Sequence, residues 1–582
     1  MMTTGHEGQP DRAAEPQGGS GVRLRLASGG GGIVYQGQTV HYMPYLYNDG
    51  SSGADRVVLE TVCSSGLAVT YVYGQPKETT VAARHVQCTW RKAPPGERVG
   101  WTKFSVTLNA DQPAGTTVMA AVNATAYRGD DVCDRVQQTL SWDVLASPVY
   151  PRPTEESVFP HPREMTVTAL PSAGSEQQRL AHNHRWADFQ PTGYYLNPHT
   201  DLTVTVTGLP ADAASRCELL VGTPGLAEAE DENRNRPEPT AFPLADGVTM
   251  IRHFYGGLLY VRYTKEPGQD PPDIHVVLGE QALPVALYRQ GTTTAAEWSR
   301  MLHAASVPLA EHCGRRVILT GLLPYVRPHH EQDQERLLAT YEQIITAQDA
   351  ISGLDASSGL DAPSRLRPMV VTTRRGAYPN SGQYRAAMPL YEDMADMYVP
   401  ERLHTYWGLW HELGHHRQHT SHWSWPAMTE DTVNIYSLAA RRLFPDSSPS
   451  HGTAREWERA LAYLDRGDGH FDTADHFVRL AMFEQLRVLF GDTFYHRLHQ
   501  HARATPVVPS EARKRFFTTT ACRITGKDLT EYFDTWGLDL DEAARAEITA
   551  LHLPTAHADL TRTPVYAPSG MTQHGRNPEP PA

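Results

Sequence analysis

Through most of residues 22–146, apolar and polar positions alternate with a period of two. The segments VRLRLA, IVYQGQTVHYMPYLY, RVVLETVC, LAVTYVYG, TKFSVTLNA and TTVMAAVNATAYRG are rich in β-branched and aromatic residues. Gly, Asp, Asn and Pro separate them. That period puts every second side chain on one face of a strand. Short strands at this spacing predict an N-terminal β-sandwich, an accessory domain over 22–146. The alternation returns in YYLNPHTDLTVTVTGLP, FYGGLLYVRYT and DIHVVLGEQALPVALY, so 165–293 is expected to be β-rich, with a surface loop at 226–240.

From about residue 294 the period lengthens. TTAAEWSRMLHAAS, 331–351, the segment around 402–420, 429–443, 453–465, 473–490 and 541–551 all read as helices. The predicted fold class is therefore multidomain α+β: the sandwich, the β-rich subdomain, and a mainly helical region over 294–562. Residues 147–164 are proline-rich and read as a stiff linker. Residues 1–21 and 563–582 are polar and aperiodic, and are expected to be disordered.

Composition narrows the function. A chain of 582 residues suits two to four domains, and 40% apolar with 20% charged residues suits packed cores. The net charge of −14 argues against nucleic acid or an anionic membrane as partner. No apolar run approaches the length of a membrane span. The first residues show no positive cluster followed by an apolar stretch, so no secretory signal is recognisable. Six cysteines form no CxxC pair. One disulfide within the first 150 residues and six reduced thiols both fit.

The chemistry concentrates in YWGLWHELGHHRQH, residues 406–419. It contains HExxH. On a helix, His411 and His415 stand one turn apart on one face, so both imidazoles can hold one Zn²⁺. Glu412, one step round, can act as general base on a water. Leu403, Trp407, Trp410 and Gly414 form an apolar stripe that reads as core. A helical glycine costs about 1 kcal/mol relative to alanine, and close approach of another element at Gly414 would offset that.

Spacing restricts the third ligand. The metzincin pattern would need Gly at 418 and His at 421, where the chain has Gln418 and Ser421. His419 lies too far along the helix, His416 points elsewhere, and His422 requires the helix to end abruptly. Glu430, in PAMTEDTVNIYSL, is the better candidate, with Thr429 expected as N-cap of the next helix. Two histidines and a downstream Glu make the gluzincin arrangement. The segment alone equally supports Glu430 and Asp431 as acids favouring a helix N-terminus. Asn434 is expected either to bond a ligand or to sit in solvent.

WGLWHELGHHRQ followed by TEDTVNIYSLAARRL resembles the enhancin-like zinc metallopeptidases. FQPTGYYLNPHTDLTVTV (189–206), YGGLLYVRYT (255–264), RRGAYPNSG (374–382), FGDTFYHRL (490–498) and LTEYFDTWGLDL (529–540) extend the resemblance from about 165 to 550. The chain departs from the family pattern at His199-Thr200, where a Gly is usual, and at Ala377. The resemblance implies Glu430 as third ligand, one zinc ion per chain, and endoproteolysis of mucin-type O-glycosylated glycoproteins, with carbohydrate contact. It also implies an extracellular site of action, with the cytoplasm as alternative. A catalytically silent glycan- or glycoprotein-binding protein, and an intracellular metallohydrolase of another amide, are the competing expectations. Tyr378, Tyr398, Tyr406 and Tyr436 are available as oxyanion donors, with none preferred. In the N-terminal domain, Tyr35, Tyr42, Tyr45 and Tyr47 read as strand packing rather than sugar contacts.

Overall fold

The computed structural model describes residues 21–566 except 28–30, 110, 212–215, 237, 391–393, 449 and 468. The terminal segments expected to be disordered thus lie almost wholly outside the described residues. The fold is mixed α/β, built from several sheets and many helices. Two compact units are distinguished: one is Met1–Tyr150 with Leu196–Asp201 and Arg252–Gly257, the other the remainder.

In the first unit, one sheet runs Leu24–Ala27, Tyr45–Asn48, Glu97–Leu108, Thr39–Tyr42, with Leu67–Gly74 also paired to Glu97–Leu108. The other runs Gly32–Tyr35, Asp131–Leu145, Thr117–Arg128, Arg56–Cys63, His85–Trp90, Glu78–Ala82. The alternating residues of both sheets supply one core, including Leu46, Leu59, Phe104, Val106, Val122 and Trp142. All six cysteines are free thiols.

The second unit opens on residues read as linker. Phe159 joins its hydrophobic core and His161 is buried. Two sheets follow, one of four strands around Ile274–Leu278 and Asp201–Thr207, one centred on Gly257–Lys265 and Phe189–Leu196. Gly193, in the QPTG element, has φ +86, and a Cβ there would meet the His161 ring at 2.8 Å. His199 stands where a glycine is usual and takes the left-handed φ of 55° itself.

A further sheet starts at Ala286–Arg289 and continues through strands beyond 294 that hydrophobic periodicity did not reveal. Its order is Ala286–Arg289, Leu309–Cys313, Ile318–Leu322, Met369–Thr373, Arg385–Pro389, Asn380–Gly382. Ile318–Leu322 and Met369–Thr373 are buried at every position, so neither shows the alternation of a half-buried strand. The expected helices form around it. Thr294 and Glu297 make a capping box for Ala295–Ala304, and Thr453 with Glu456 another for Ala454–Arg466. Gln334–Ile351 starts at an Asp333 cap. Helices and sheet share one core in which Trp298, Tyr341, Trp410, Trp423 and Trp536 are fully buried.

Candidate metal centre

The HExxH segment forms the helix Trp407–Arg417, three residues shorter than expected at its C-terminus. Buried polar contacts clamp it to Gln334–Ile351. Gln348 donates to the Trp410 carbonyl at 2.9 Å. The guanidinium of Arg417, with no exposed surface, donates to Asp349 at 2.8 Å and Gln348 at 3.1 Å. It also lies 4.5 Å over the Trp186 ring. A buried guanidinium is tolerated only when paired and hydrogen-bonded in this way. The helix is thereby fixed in rotation. The His411 and His415 rings face one another, with centroids 4.6 Å apart and planes at 90°.

The next segment returns over them. The 3₁₀ turn Pro426–Met428 runs directly into Thr429–Thr432. Thr429 is therefore not the N-cap, as expected, but the first helical residue. Its hydroxyl turns back to donate to Pro426 O at 3.2 Å. Asp431 is buried and ion-pairs with Arg479, whose Nε is 3.1 Å away, which anchors the turn in the core. Glu430 projects the other way. Its Oε2 lies 3.1 Å from His411 Nε2 and 3.5 Å from His415 Nε2. The close approach expected at Gly414 comes from this same element: a Cβ on Gly414 would meet Val433 O at 2.9 Å and Tyr436 Cβ at 3.3 Å.

Two side-chain amides orient the histidines. Asn434 Oδ1 is 2.9 Å from His411 Nδ1, and Gln418 Oε1 is 3.0 Å from His415 Nδ1. Neither amide is free to flip. Asn434 Nδ2 donates to Glu430 O at 2.9 Å, and Gln418 Nε2 to Thr429 O at 2.6 Å. Both oxygens therefore accept from Nδ1–H, which assigns the bare lone pair of each neutral imidazole to Nε2. Those two lone pairs and a carboxylate oxygen converge, all within 4.8 Å of one another. Three acceptors facing one point repel unless a cation lies among them. The donor set fits a zinc ion, which takes imidazole nitrogen and carboxylate oxygen and leaves a fourth position open. Among the described residues no other group of three or more His, Cys, Asp or Glu is arranged this way.

The electrostatics agree. The adjoining imidazoles, His411 first and then His415, hold the Glu430 carboxyl well below the usual carboxylate range. Burial pulls His411 down, but Glu430 and Glu412 outweigh it and raise it overall. Glu412, 6% exposed, is raised chiefly by burial, against the pull of His411, His415 and Arg385. Such a carboxylate is a stronger base than one in water.

The other histidines stay apart. His416 is buried with its ring against His184, and His419 is buried with its ring 4.6 Å from that of His499. The helix does end abruptly, yet His422 Nε2 sits 3.0 Å from Thr505 O instead. Tyr398 and Tyr436 are core residues, Tyr378 is 86% exposed, and Tyr406 interacts electrostatically with Glu412. Reading of the sequence overlooked Gln418, although i+3 from His415 is a same-face spacing. It also overlooked Arg385, which comes from a strand and carries no motif.

The family model described as Peptidase M60, enhancin and enhancin-like, matches residues 281–537. That for the N-terminal domain of M60-like peptidases matches 171–277. This chain belongs to the enhancin-like M60 peptidase family. As an M60 family member it aligns with TRPM8 channel-associated factor 3 of Rattus norvegicus at 23% identity over 401 residues, covering 67% of this chain and 41% of that one. It aligns with TRPM8 channel-associated factor 2 of Homo sapiens at 23% over 449 residues, covering 75% and 45%. The chain thus spans less than half the length of the curated relatives it matches.

Among solved structures, a functionally unknown conserved protein from Bacillus anthracis str. Ames is similar at 28% identity and a TM-score of 0.60, over 68% of this chain and 80% of that one. The catalytic module of the metalloprotease ZmpA from Clostridium perfringens shares the M60 fold at 17% identity and a TM-score of 0.57, over 69% and 80%.

Proposed function

We propose that this chain is a zinc-dependent endopeptidase acting on glycoproteins, of the mucin-type O-glycosylated class. The observation that carries it is the convergence of His411 Nε2, His415 Nε2 and Glu430 Oε2, beside a buried Glu412, in an M60 peptidase. A zinc ion held by His411, His415 and Glu430 would polarise the scissile carbonyl and acidify a water. Glu412 accepts the proton of the attacking water and returns it to the leaving amine. Asn434 and Gln418 hold both imidazoles in the tautomer that presents Nε2.

The substrate class rests on relatives. M60-fold metallopeptidases have been solved with Tn antigen and, for ZmpC of Clostridium perfringens, with sialyl T antigen. Such substrates imply action outside the cell, which recovery from medium or cytosol tests. The N-terminal unit is read as a β-sandwich accessory module, and 294–562 as the gluzincin-type catalytic region.

A second reading, a silent binding protein, draws on the curated relatives, whose names describe channel association and not proteolysis. One comparison separates the two. Wild type and Glu412→Gln are assayed for zinc by elemental analysis and incubated with mucin and casein. One zinc in both and cleavage of mucin by wild type alone supports the peptidase. Zinc in both with no cleavage by either supports the binding protein. No zinc in either removes the proposal.

A further inference from the structure

The outer face of the five-stranded sheet in the first unit carries a row of aromatic rings that its core does not use. In that sheet Leu46, Gly100, Thr102, Phe104 and Val106 point inward and are buried. The opposite parity points outward. Cross-strand register places Tyr45 beside Trp101, and Tyr73 beside Lys103. Tyr47 neighbours Tyr45 on the same strand face, and Tyr71 neighbours Tyr73. The row therefore crosses three strands: Tyr47, Tyr45, Trp101, Tyr73, Tyr71. The Tyr73 and Trp101 centroids are 5.7 Å apart, and Tyr71 and Tyr73 are stacked at 6.5 Å with planes 14° apart. Tyr71 and Tyr73 are 53% and 58% exposed.

This divides the tyrosines that the sequence suggested were all packing. Tyr35 and Tyr42 are buried, whereas Tyr45 and Tyr47 belong to the outer face.

Tyr45, Tyr47 and Trp101 are half-buried, and the Arg25 guanidinium lies 4.2 Å over the Tyr47 ring. A contiguous row of rings that opens to solvent at Tyr73 and Tyr71 is a candidate ligand surface, since isolated apolar residues are ordinary but a contiguous row is not. Two features select the ligand. First, the row is polar on its flank: His41 Nδ1 meets Ser105 Oγ at 2.8 Å, and Thr39 meets Thr107 at 2.7 Å. A protein-binding patch needs a broad apolar centre sealed by a rim, which a row does not provide. A pyranose presents one flat face of C–H groups to a ring and hydroxyls to the polar flank. Second, the charges on this face are mainly cationic. Arg23, Arg25, Arg98 and Lys103 share its parity, against Asp49, which Arg25 pairs. On a chain of net charge −14, that local excess suits a ligand with acidic sugars. The row ends at a groove of about 490 Å³ lined by Tyr71, Tyr73, Pro76, Thr79 and Val81.

We propose that the aromatic row Tyr47–Tyr45–Trp101–Tyr73–Tyr71 is a binding face for an acidic oligosaccharide, whose pyranose rings stack along it. This gives the accessory unit a ligand of its own, independent of the peptidase reading.

The test uses the full-length chain and oligosaccharides released from a sialylated mucin, so that no peptide bond is offered to the metal centre. Titration calorimetry is run on wild type, Tyr71→Ala/Tyr73→Ala and Glu412→Gln, with casein cleavage as a parallel readout. With two stacking rings removed, the double variant should weaken binding roughly tenfold or more. Its casein cleavage should be unchanged. Glu412→Gln should bind as wild type does. Desialylated oligosaccharides should bind more weakly. Binding that survives Tyr71→Ala/Tyr73→Ala, or is absent in wild type, overturns the proposal, and equal binding of desialylated sugar overturns its acidic preference. Failure of wild type to cleave both mucin and casein would remove the peptidase reading and leave this one standing.

Discussion

Asn434 accepts from His411 at 2.9 Å and donates to the carbonyl of Glu430 at 2.9 Å, so one amide ties together two of the three proposed metal donors. Replacing it with alanine frees the His411 ring and its tautomer. Removal of such a partner of a metal-binding histidine costs about 10–100-fold in metal affinity. Asn434→Ala should therefore lose zinc to a chelator at a correspondingly lower concentration, while its circular dichroism stays that of wild type. Asn434→Asp keeps the acceptor and should fall between the two. Wild-type chelator resistance in Asn434→Ala would show that this bond positions nothing.

Gly414→Ala tests the close packing of the two segments. Alanine favours the helix by about 1 kcal/mol, but its Cβ would lie 2.9 Å from the Val433 carbonyl. Overpacking costs ~1–3 kcal/mol, so the variant should melt below wild type and bind zinc more weakly, because relief requires the Glu430 segment to move. An increase in melting temperature would contradict this.

Metal removal should be visible in stability. A ligand that binds only the folded state stabilises it by ~4 kcal/mol at a thousandfold excess over Kd. Excess zinc should raise the melting temperature of wild type and EDTA should lower it. Glu430→Ala should respond much less to either. Equal responses would remove Glu430 from the site.

A buried acid gives a pH prediction. Glu311 has no exposed surface, and burial raises it to about 7 although Tyr260 and Thr320 donate to it. The folded state therefore holds the proton more tightly than the unfolded chain. The resulting stability is fully present below the unfolded value of 4.5 and is lost as pH rises through about 7. The change is on the order of 3 kcal/mol. Glu311→Gln does not titrate. Urea unfolding in EDTA should show the variant gaining on wild type between pH 5 and pH 7.5. A constant difference across that range would mean that Glu311 ionises normally.

The helical frame and the HExxH motif were legible because each is written locally. His411 and His415 share a face at i+4, and Thr294 with Glu297 announces a helix start. The mixed sheet was not legible, since Ile318–Leu322 and Met369–Thr373 are buried on both sides and carry no period. Its own segment left Glu430 balanced between ligand and helix-terminus acid, and only the family resemblance favoured the ligand; in the fold Asp431 turns inward to Arg479 while Glu430 faces the two histidines. Arg385 reaches Glu412 only through strand pairing, a relationship that spacing cannot express.

All three proposed metal donors and both orienting amides fall between residues 411 and 434. In polymer terms the centre is a short closed loop, and a metal there acts as a clip on a chain segment that is already nearly closed. Closing so short a loop restrains little of the unfolded chain. Loss of the ion should then open this segment locally, in the manner of a small cooperative unit detected by hydrogen exchange. Arg417 and Asp349, 68 positions apart, keep the helix beneath it in place.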